Sequence, residues 1–162
     1  KIKSVIKMDK VLGKVTLLSK TGSSVQASTL NEKQIVGLYF SAHWCPPCRA
    51  FTPVLAEAYR TIVAAGKSFE VIFISSDQSE SQFSQYYAEM PWICLPFSAR
   101  EDKERISNAY GVSGIPCLVL LDGATGKLIT KEGRAVIMQD KTGDNFPWEN
   151  TSAGAKGGCI LL

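Results

Sequence analysis

The segment best suited to do chemistry is residues 45–48, two cysteines separated by two prolines. Residues 34–40 before it are almost entirely apolar and predict a strand buried on both faces. Residues 46–65 after it predict a helix that ends at a glycine. Prolines suit the first positions of a helix, where a missing N–H group costs least. Cys45 is therefore predicted to be the N-cap residue of this helix, with Cys48 one turn inside it.

A cysteine at the N-cap of a helix that starts with Pro46 and Pro47 is predicted to be reactive. The backbone N–H of Cys48 can donate a hydrogen bond to the Cys45 sulfur, and the helix dipole places positive charge beside it. Both effects favour the thiolate, so we expect the pKa of Cys45 to lie below that of a free cysteine. Because the thiolate attacks disulfides, the sequence predicts thiol–disulfide exchange, with Cys45 attacking and Cys48 resolving the mixed disulfide.

The same spacing also occurs in zinc sites, where a Cys-x-x-Cys pair supplies two of four ligands. The chain has one histidine, His43, which lies two residues before Cys45, and no second Cys-x-x-Cys pair. A permanent disulfide over so short a loop would constrain little of the unfolded chain. The residues therefore favour a redox pair over a metal site or a structural bridge, and no metal or cofactor is predicted.

Strands alternate with helices along the chain, which predicts an α/β fold with a central sheet covered on both faces. A hairpin is predicted near each end of this pattern. The predicted strands cover residues 11–18, 24–26, 34–40, 69–75, 116–121 and 127–130, and the predicted helices residues 46–65, 80–88, 100–110 and 135–139. Residues 92–97 form either a strand or a loop packed on the core.

Size and composition are those of one soluble domain: 162 residues, 45% apolar and 20% charged, with a net charge of +3. So small a charge argues against a nucleic-acid binder, and no apolar window reaches the ~18 residues of a membrane span. Five cysteines, an odd number, fit a reducing compartment better than a secreted disulfide framework. We expect one domain over residues 1–149 and a flexible, small and polar tail over residues 150–162.

These features resemble the thioredoxin superfamily and, within it, the tryparedoxin and nucleoredoxin branch, tryparedoxins most of all. The matching segments are residues 39–49 (YFSAHWCPPCR), 51–53 (FTP), 90–92 (MPW), 95–97 (LPF), 114–116 (GIP) and 146–148 (FPW). The resemblance implies a thioredoxin-like fold, in which a central mixed sheet has helices on both faces and an N-terminal hairpin.

The resemblance also implies where a substrate binds. In this superfamily the proline that corresponds to Pro116 is cis and lies against the Cys-x-x-Cys motif, so that the backbone of Ile115 pairs with an extended substrate segment. The alternative is an ordinary turn proline that begins a strand. Trp44, directly before the attacking cysteine, is expected to form an apolar wall for substrates, and a core position is the alternative.

Three further residues near the motif need an interpretation. Tyr39 stands six residues before Cys45, where thioredoxins carry a buried Asp that moves protons. The proton of Cys48 must therefore travel through water, Tyr39 or another group. Arg49 either adds positive potential near the thiolate or is simply solvated. Cys117, directly after the predicted cis proline, is expected to be a buried strand cysteine rather than a redox-sensitive thiol.

The resemblance implies a dithiol carrier that passes electrons from trypanothione, another low-molecular-weight dithiol or a reductase to protein disulfides. Its implied targets are peroxiredoxins, glutathione-peroxidase-type enzymes and ribonucleotide reductase. A redox-regulated protein-binding module, as in nucleoredoxins, is the alternative, because intact cysteines favour the carrier without excluding the binder. We expect a monomer that acts in the cytoplasm.

The last four residues, Cys159-Ile160-Leu161-Leu162, match the C-a-a-X pattern of prenylation, with a final Leu that favours geranylgeranyl. A single prenyl chain with one nearby cation, Lys156, would anchor the protein only weakly to a membrane. A disordered apolar tail is the alternative, and the residues leave both open.

Overall fold

A computed structural model describes residues 7–149, so the predicted tail and Cys159 lie outside the described residues. Within that range, strands of one mixed sheet alternate with helices. In chain order the elements are α1 (Met8–Leu12), β1 (Thr16–Leu18), β2 (Ser24–Gln26), a 3-10 helix (Ala27–Glu32), β3 (Ile35–Ser41), α2 (Pro46–Ala64), β4 (Phe69–Ser75), α3 (Glu80–Tyr87), β5 (Ile93–Cys94), α4 (Arg100–Ala109), β6 (Cys117–Asp122), β7 (Leu128–Thr130) and α5 (Gly133–Gln139).

The order of the strands brings three distant segments together. The sheet has the order β2-β1-β5-β4-β3-β6-β7, and β3 pairs in parallel with β4 and antiparallel with β6. Ser41 at the end of β3 therefore lies opposite Ser75 at the end of β4, and Phe40 lies opposite Cys117 at the start of β6. The segments that follow β3 and β4 and the segment that precedes β6 must meet at this edge.

Side-chain alternation along β3 explains why both faces of the sheet are covered. Ile35 and Tyr39 point into one core, which α2, α3 and α5 complete. Val36, Leu38 and Phe40 point into a second core, which α1, the 3-10 helix and α4 complete. Because successive strand residues face opposite sides, an apolar run such as β3 belongs between two layers of helices. The expected α/β fold with a mixed sheet is confirmed.

The largest difference from the predicted elements lies near the N-terminus. The predicted strand over residues 11–18 is wrong in its first part, because Val11 and Leu12 end α1. Met8 and Leu12, one helical turn apart, are both fully buried in the second core, so helical periodicity outweighs the strand preference of Val11. The hairpin of β1 and β2 is confirmed, whereas the 3-10 helix was not predicted. Residues 92–97 contain one short strand, β5, and are otherwise loop.

Asp140 holds the C-terminal end of the described chain. Its carboxylate accepts hydrogen bonds from Trp148 Nε1 at 2.8 Å and from the backbone N–H groups of Asp144 and Asn145, each at 2.9 Å. Burial alone would raise the pKa of Asp140. These hydrogen bonds and the charge of Lys67 outweigh burial and hold the pKa below its usual range. The ionised carboxylate thus fastens the last turn of chain to the end of α5.

We expect Asp140→Asn to lower the free energy of unfolding by about 1–3 kcal/mol at pH 7, since the carboxylate accepts three hydrogen bonds that an amide accepts poorly. A carboxyl group with a depressed folded pKa stabilises the fold above its unfolded pKa of about 3.9 and loses that contribution as the pH falls through the folded value. In urea unfolding, the difference between the two proteins should therefore shrink below about pH 4.

Asp144→Asn is the matched control, because Asp144 is exposed and only its backbone N–H takes part. Asp144→Asn should lower the free energy of unfolding by less than about 0.5 kcal/mol. Equal losses in the two variants would contradict the role given to the Asp140 carboxylate.

Candidate active site

Cys45 and Cys48 form a disulfide bond at the N-terminus of α2, with their Cα atoms 5.2 Å apart. Cys45 is the N-cap residue, and its Sγ accepts the backbone N–H of Cys48 at 3.3 Å. Pro46 and Pro47 fill the first two helical positions, as predicted. Cys45 keeps 5% of its surface exposed while Cys48 is fully buried, which makes Cys45 the cysteine that a substrate can reach.

A buried carboxylate fixes the loop that leads to the cysteines. Asp77 Oδ1 accepts the backbone N–H of His43 at 2.7 Å, and Oδ2 accepts the Ser75 hydroxyl at 2.6 Å. Asp77 can reach His43 because β3 and β4 pair in parallel, so that the residues after Ser41 and Ser75 are neighbours. Since His43 lies two residues before Cys45, this contact helps to set the position of Cys45.

Trp44 lies at the surface and not in the core. Its side chain is 49% exposed, and its ring N–H donates to the backbone carbonyl of Ser76 at 2.9 Å. The hydrogen bond therefore fixes the orientation of the ring, and about half of the residue's surface remains exposed. Contact between Trp44 and a substrate stays a prediction.

The peptide bond between Ile115 and Pro116 is cis, in agreement with what the resemblance implied. The carbonyl oxygen of Ile115 lies 3.9 Å from Cys45 Sγ, and Ile115 packs against the cluster formed by Ala42 and the two cysteines. On the other side, Arg134 Nη1 donates to the carbonyl of Pro116 at 3.5 Å. A backbone segment 70 residues away in sequence is thus placed directly beside the nucleophile. Pairing of a substrate with this backbone stays a prediction.

Two cavities flank the segment formed by Ile115 and Pro116. The larger one, about 520 Å³, lies between α2 and α5 and has mostly apolar walls that include Phe51, Pro116 and Met138. The smaller one, about 260 Å³, lies between Trp44, Ile115 and α4. A substrate chain that crosses Ile115 would therefore find room on both sides of the nucleophile.

Four buried hydroxyl groups form a closed ring behind the disulfide. The hydroxyl oxygens of Tyr39 and Thr52 lie 2.7 Å apart, and those of Thr52 and Tyr86 lie 2.5 Å apart. The Ser41 hydroxyl oxygen lies 2.7 Å from that of Tyr86 and 3.2 Å from that of Tyr39. The Thr52 hydroxyl also donates to the backbone carbonyl of Cys48 at 3.0 Å. The ring therefore ties β3 and α3 to the first turn of α2.

Tyr39 stands where thioredoxins carry a buried Asp, and its hydroxyl stays protonated. Burial, helped by the neighbouring Tyr86, raises the pKa of Tyr39 far above its usual value. Tyr39 cannot act at neutral pH as an ionised base. Its evident contribution is to the hydrogen bonds of the ring.

The remaining predicted residues are placed as follows. Arg49 is exposed on the first turn of α2, and its effect on the thiolate stays a prediction. Cys117 is buried at the start of β6, and its role as a structural rather than a redox-sensitive cysteine stays a prediction. Cys94 is buried in β5, and burial raises the pKa of its thiol to about 11, so this thiol is not ionised at neutral pH.

Several residues of the site were not identified from the sequence as site residues. Asp77 could have been found, because it follows β4 as the motif follows β3, and the ends of parallel neighbours meet. Ser41, Thr52 and Tyr86 carry no such signal, since they lie on three elements with unrelated spacings. Arg134 comes from α5, which packs beside Pro116 only in the folded protein.

Within residues 7–149, no three or more His, Cys, Asp or Glu side chains are grouped so as to hold a metal ion. None of the helices in this range has the length and apolar character needed to cross a bilayer.

Comparison with known proteins adds an independent observation. A family model described as thioredoxin-like matches residues 32–128. Human nucleoredoxin is 48% identical over 156 residues, which cover 90% of this chain and 35% of the human protein. Tryparedoxin of Trypanosoma brucei brucei is 46% identical over 138 residues, which cover 85% of this chain and 94% of that protein. The chain thus spans about a third of the length of the nucleoredoxins it matches.

Solved structures give the same result for the fold. Tryparedoxin from Trypanosoma brucei has a TM-score of 0.78 at 46% identity, over 85% of this chain and 94% of that chain. A tryparedoxin II in complex with glutathionylspermidine has a TM-score of 0.81 at 38% identity, over 88% of this chain and 99% of that chain. The thioredoxin-like fold and the resemblance to tryparedoxins and nucleoredoxins are confirmed.

We expect Tyr39→Phe to lower the free energy of unfolding by about 1–3 kcal/mol, because buried hydroxyls of the ring lose a partner. Since Tyr39 stays protonated, its loss should leave the shape of the pH profile of disulfide reduction unchanged between about pH 6 and pH 9. Urea unfolding and kcat/KM as a function of pH measure the two effects.

Tyr110→Phe serves as the control, because burial raises the pKa of Tyr110 but its hydroxyl makes no hydrogen bond within residues 7–149. Tyr110→Phe should leave both the free energy of unfolding and the pH profile nearly unchanged. A new titration in the profile of Tyr39→Phe would instead identify this hydroxyl as part of the proton path.

Proposed function

Because the chain belongs to the thioredoxin-like family and carries the Cys45–Cys48 site of a thiol–disulfide oxidoreductase, we propose that it is a dithiol carrier that reduces disulfide bonds in other proteins. One observation supports this most directly. Cys45 Sγ is the N-cap atom of α2 and also lies 3.9 Å from the backbone of Ile115, so the reactive atom and a docking backbone adjoin.

The proposed cycle begins with the reduced dithiol. The Cys45 thiolate attacks one sulfur of a substrate disulfide, the substrate S–S bond breaks, and the leaving thiolate takes up a proton. The Cys48 thiol loses its proton and attacks Cys45 Sγ in the mixed disulfide, which releases the second substrate thiol and forms the Cys45–Cys48 bridge. The substrate gains two electrons and two protons. The carrier supplies both electrons and the Cys48 proton, and the second proton comes from water because Cys45 reacts as the thiolate.

A second dithiol must then reduce the Cys45–Cys48 bridge. We propose a low-molecular-weight dithiol such as trypanothione, or a reductase, as this donor. The tryparedoxin II structure that contains glutathionylspermidine supports a small thiol compound as a ligand of this fold. As electron acceptors we propose disulfides of peroxiredoxins and glutathione-peroxidase-type enzymes.

A second candidate function is a redox-regulated binding module. It is favoured by the 48% identity to human nucleoredoxin, of which this chain covers about a third. In this case the disulfide state of Cys45 and Cys48 would control the grip of the Ile115 region on a partner, and reduction would not be repeated over many cycles.

Substitution of each cysteine separates the steps of the cycle. Cys45→Ser should abolish reduction of insulin in the presence of dithiothreitol, because the attacking thiolate is gone. Cys48→Ser should accumulate a mixed disulfide with the substrate, because the resolving thiol is gone. Cys94→Ala, which removes a buried and protonated thiol, should keep most of the turnover. Non-reducing electrophoresis and the rate of insulin precipitation measure these outcomes.

The same variants distinguish the carrier from the binding module. A carrier turns over many substrate molecules, and its Cys45–Cys48 disulfide is reduced faster in the presence of trypanothione or of thioredoxin reductase than in buffer alone. Full activity of Cys45→Ser would refute the carrier mechanism. A partner that binds the oxidised and reduced proteins with different affinity, without turnover, would support the binding module.

We also propose a cytoplasmic location, because the cysteine content suits a reducing compartment. Where Leu162 is the last residue of the protein, geranylgeranylation of Cys159 would add weak membrane association. Mass spectrometry of the protein from its native cell should then show the prenyl group on Cys159. An unmodified and complete C-terminal peptide would contradict the proposed prenylation.

A further inference from the structure

The smaller cavity, which Trp44 and Ile115 help to line, also contains a charged residue. Lys103 of α4 lines this space of about 260 Å³ together with Trp44 and Ile115. Among the described residues around the cavity, Lys103 alone is charged, and Ser76 and Ser107 add polar atoms. The cavity therefore combines apolar walls with one positive group.

The ammonium group of Lys103 has no anionic partner within residues 7–149. The ion pair found in that range joins Arg105 to Asp102 at 3.2 Å. Asp77, which follows Ser76, is buried and already accepts hydrogen bonds from His43 and Ser75. A partly buried lysine that lines a cavity and has no ionic partner there is suited to bind a carboxylate.

We propose that Lys103 selects disulfide substrates that carry an Asp or Glu two residues from the reacting cysteine. This inference rests on the proposed function, because it concerns the substrate of the same site. In an extended segment, alternate side chains point to the same side. A substrate that pairs with Ile115 and directs its cysteine at Cys45 therefore directs the residues two positions away to the same face, where the cavity opens.

The size and walls of the cavity fit this occupant. A volume of about 260 Å³ accommodates one side chain, and Trp44, whose ring N–H donates to the Ser76 carbonyl, forms part of its wall. Partial exclusion of water strengthens the attraction between the carboxylate and Lys103. Lys103 is thus a specificity-determining residue, and the electron transfer itself remains with Cys45 and Cys48.

The test uses the full chain and three synthetic peptides, each linked as a disulfide dimer through one cysteine. The peptides differ only in the residue two positions from the cysteine, which is Asp, Asn or Lys, and a second set carries the change on the other side of the cysteine. The variants are Lys103→Gln, Lys103→Arg and Lys103→Glu. Lys141→Gln is the control, because it removes the same charge from an exposed position away from both cavities.

We expect the unaltered protein to reduce the Asp peptide with a kcat/KM about fivefold above that of the Asn peptide, on at least one side of the cysteine. Lys103→Gln should remove this preference without changing kcat/KM for the Asn peptide. Lys103→Arg should keep the preference, and Lys103→Glu should favour the Lys peptide. Raising the salt concentration should weaken the preference in the unaltered protein, since an ionic contact is screened.

The inference is overturned when the unaltered protein shows no preference, or when Lys103→Gln slows all three peptides by one common factor. A preference that survives Lys103→Gln and is lost in Lys141→Gln would also overturn it. Failure of the proposed function is a separate result, because in that case the unaltered protein would reduce none of the peptides.

Discussion

The hydrogen bond from the backbone N–H of Cys48 to the sulfur of Cys45 is the interaction on which the site depends. A helix begins with four N–H groups that have no partner inside the helix. Here Pro46 and Pro47 remove two of them, and the N–H of Cys45 itself donates to the carbonyl of Ala42 at 3.3 Å. The N–H of Cys48 is left for the sulfur. The atom that caps the helix is therefore the sulfur of the more accessible cysteine of the pair.

The sheet places this atom among its partners. The parallel pairing of β3 and β4 brings Asp77 to the loop before Cys45, and the antiparallel pairing of β3 and β6 brings Ile115 to its other side. A shift of one residue in either pairing would turn every side chain of β3 to the wrong core. Burial of both faces of β3 thus fixes its register with β4 and β6. This register in turn determines where Asp77 and Ile115 lie relative to Cys45.

Local signals were enough to predict part of this arrangement. The strand, the Cys-x-x-Cys segment and the helix follow one another directly, so the N-cap position of Cys45 could be derived from neighbours in sequence. The approach of Pro116 could not, because it depends on strand pairing across 70 residues, and only the resemblance indicated it. Val11 was assigned to a strand because a short apolar segment shows a similar sequence pattern in a strand and in a helix. The hydroxyl ring that Thr52 closes is purely tertiary, since its members share no spacing.

The distance along the chain between Cys45 and Ile115 has a consequence for the integrity of the site. The Cys-x-x-Cys segment lies in the first third of the chain, whereas Ile115 is held beside it through the antiparallel pairing of β6 with β3. A change that disrupts this pairing would leave both cysteines at the start of α2 and displace Ile115 from Cys45. The geometry of the site is therefore a property of the intact sheet and not of the Cys-x-x-Cys segment alone.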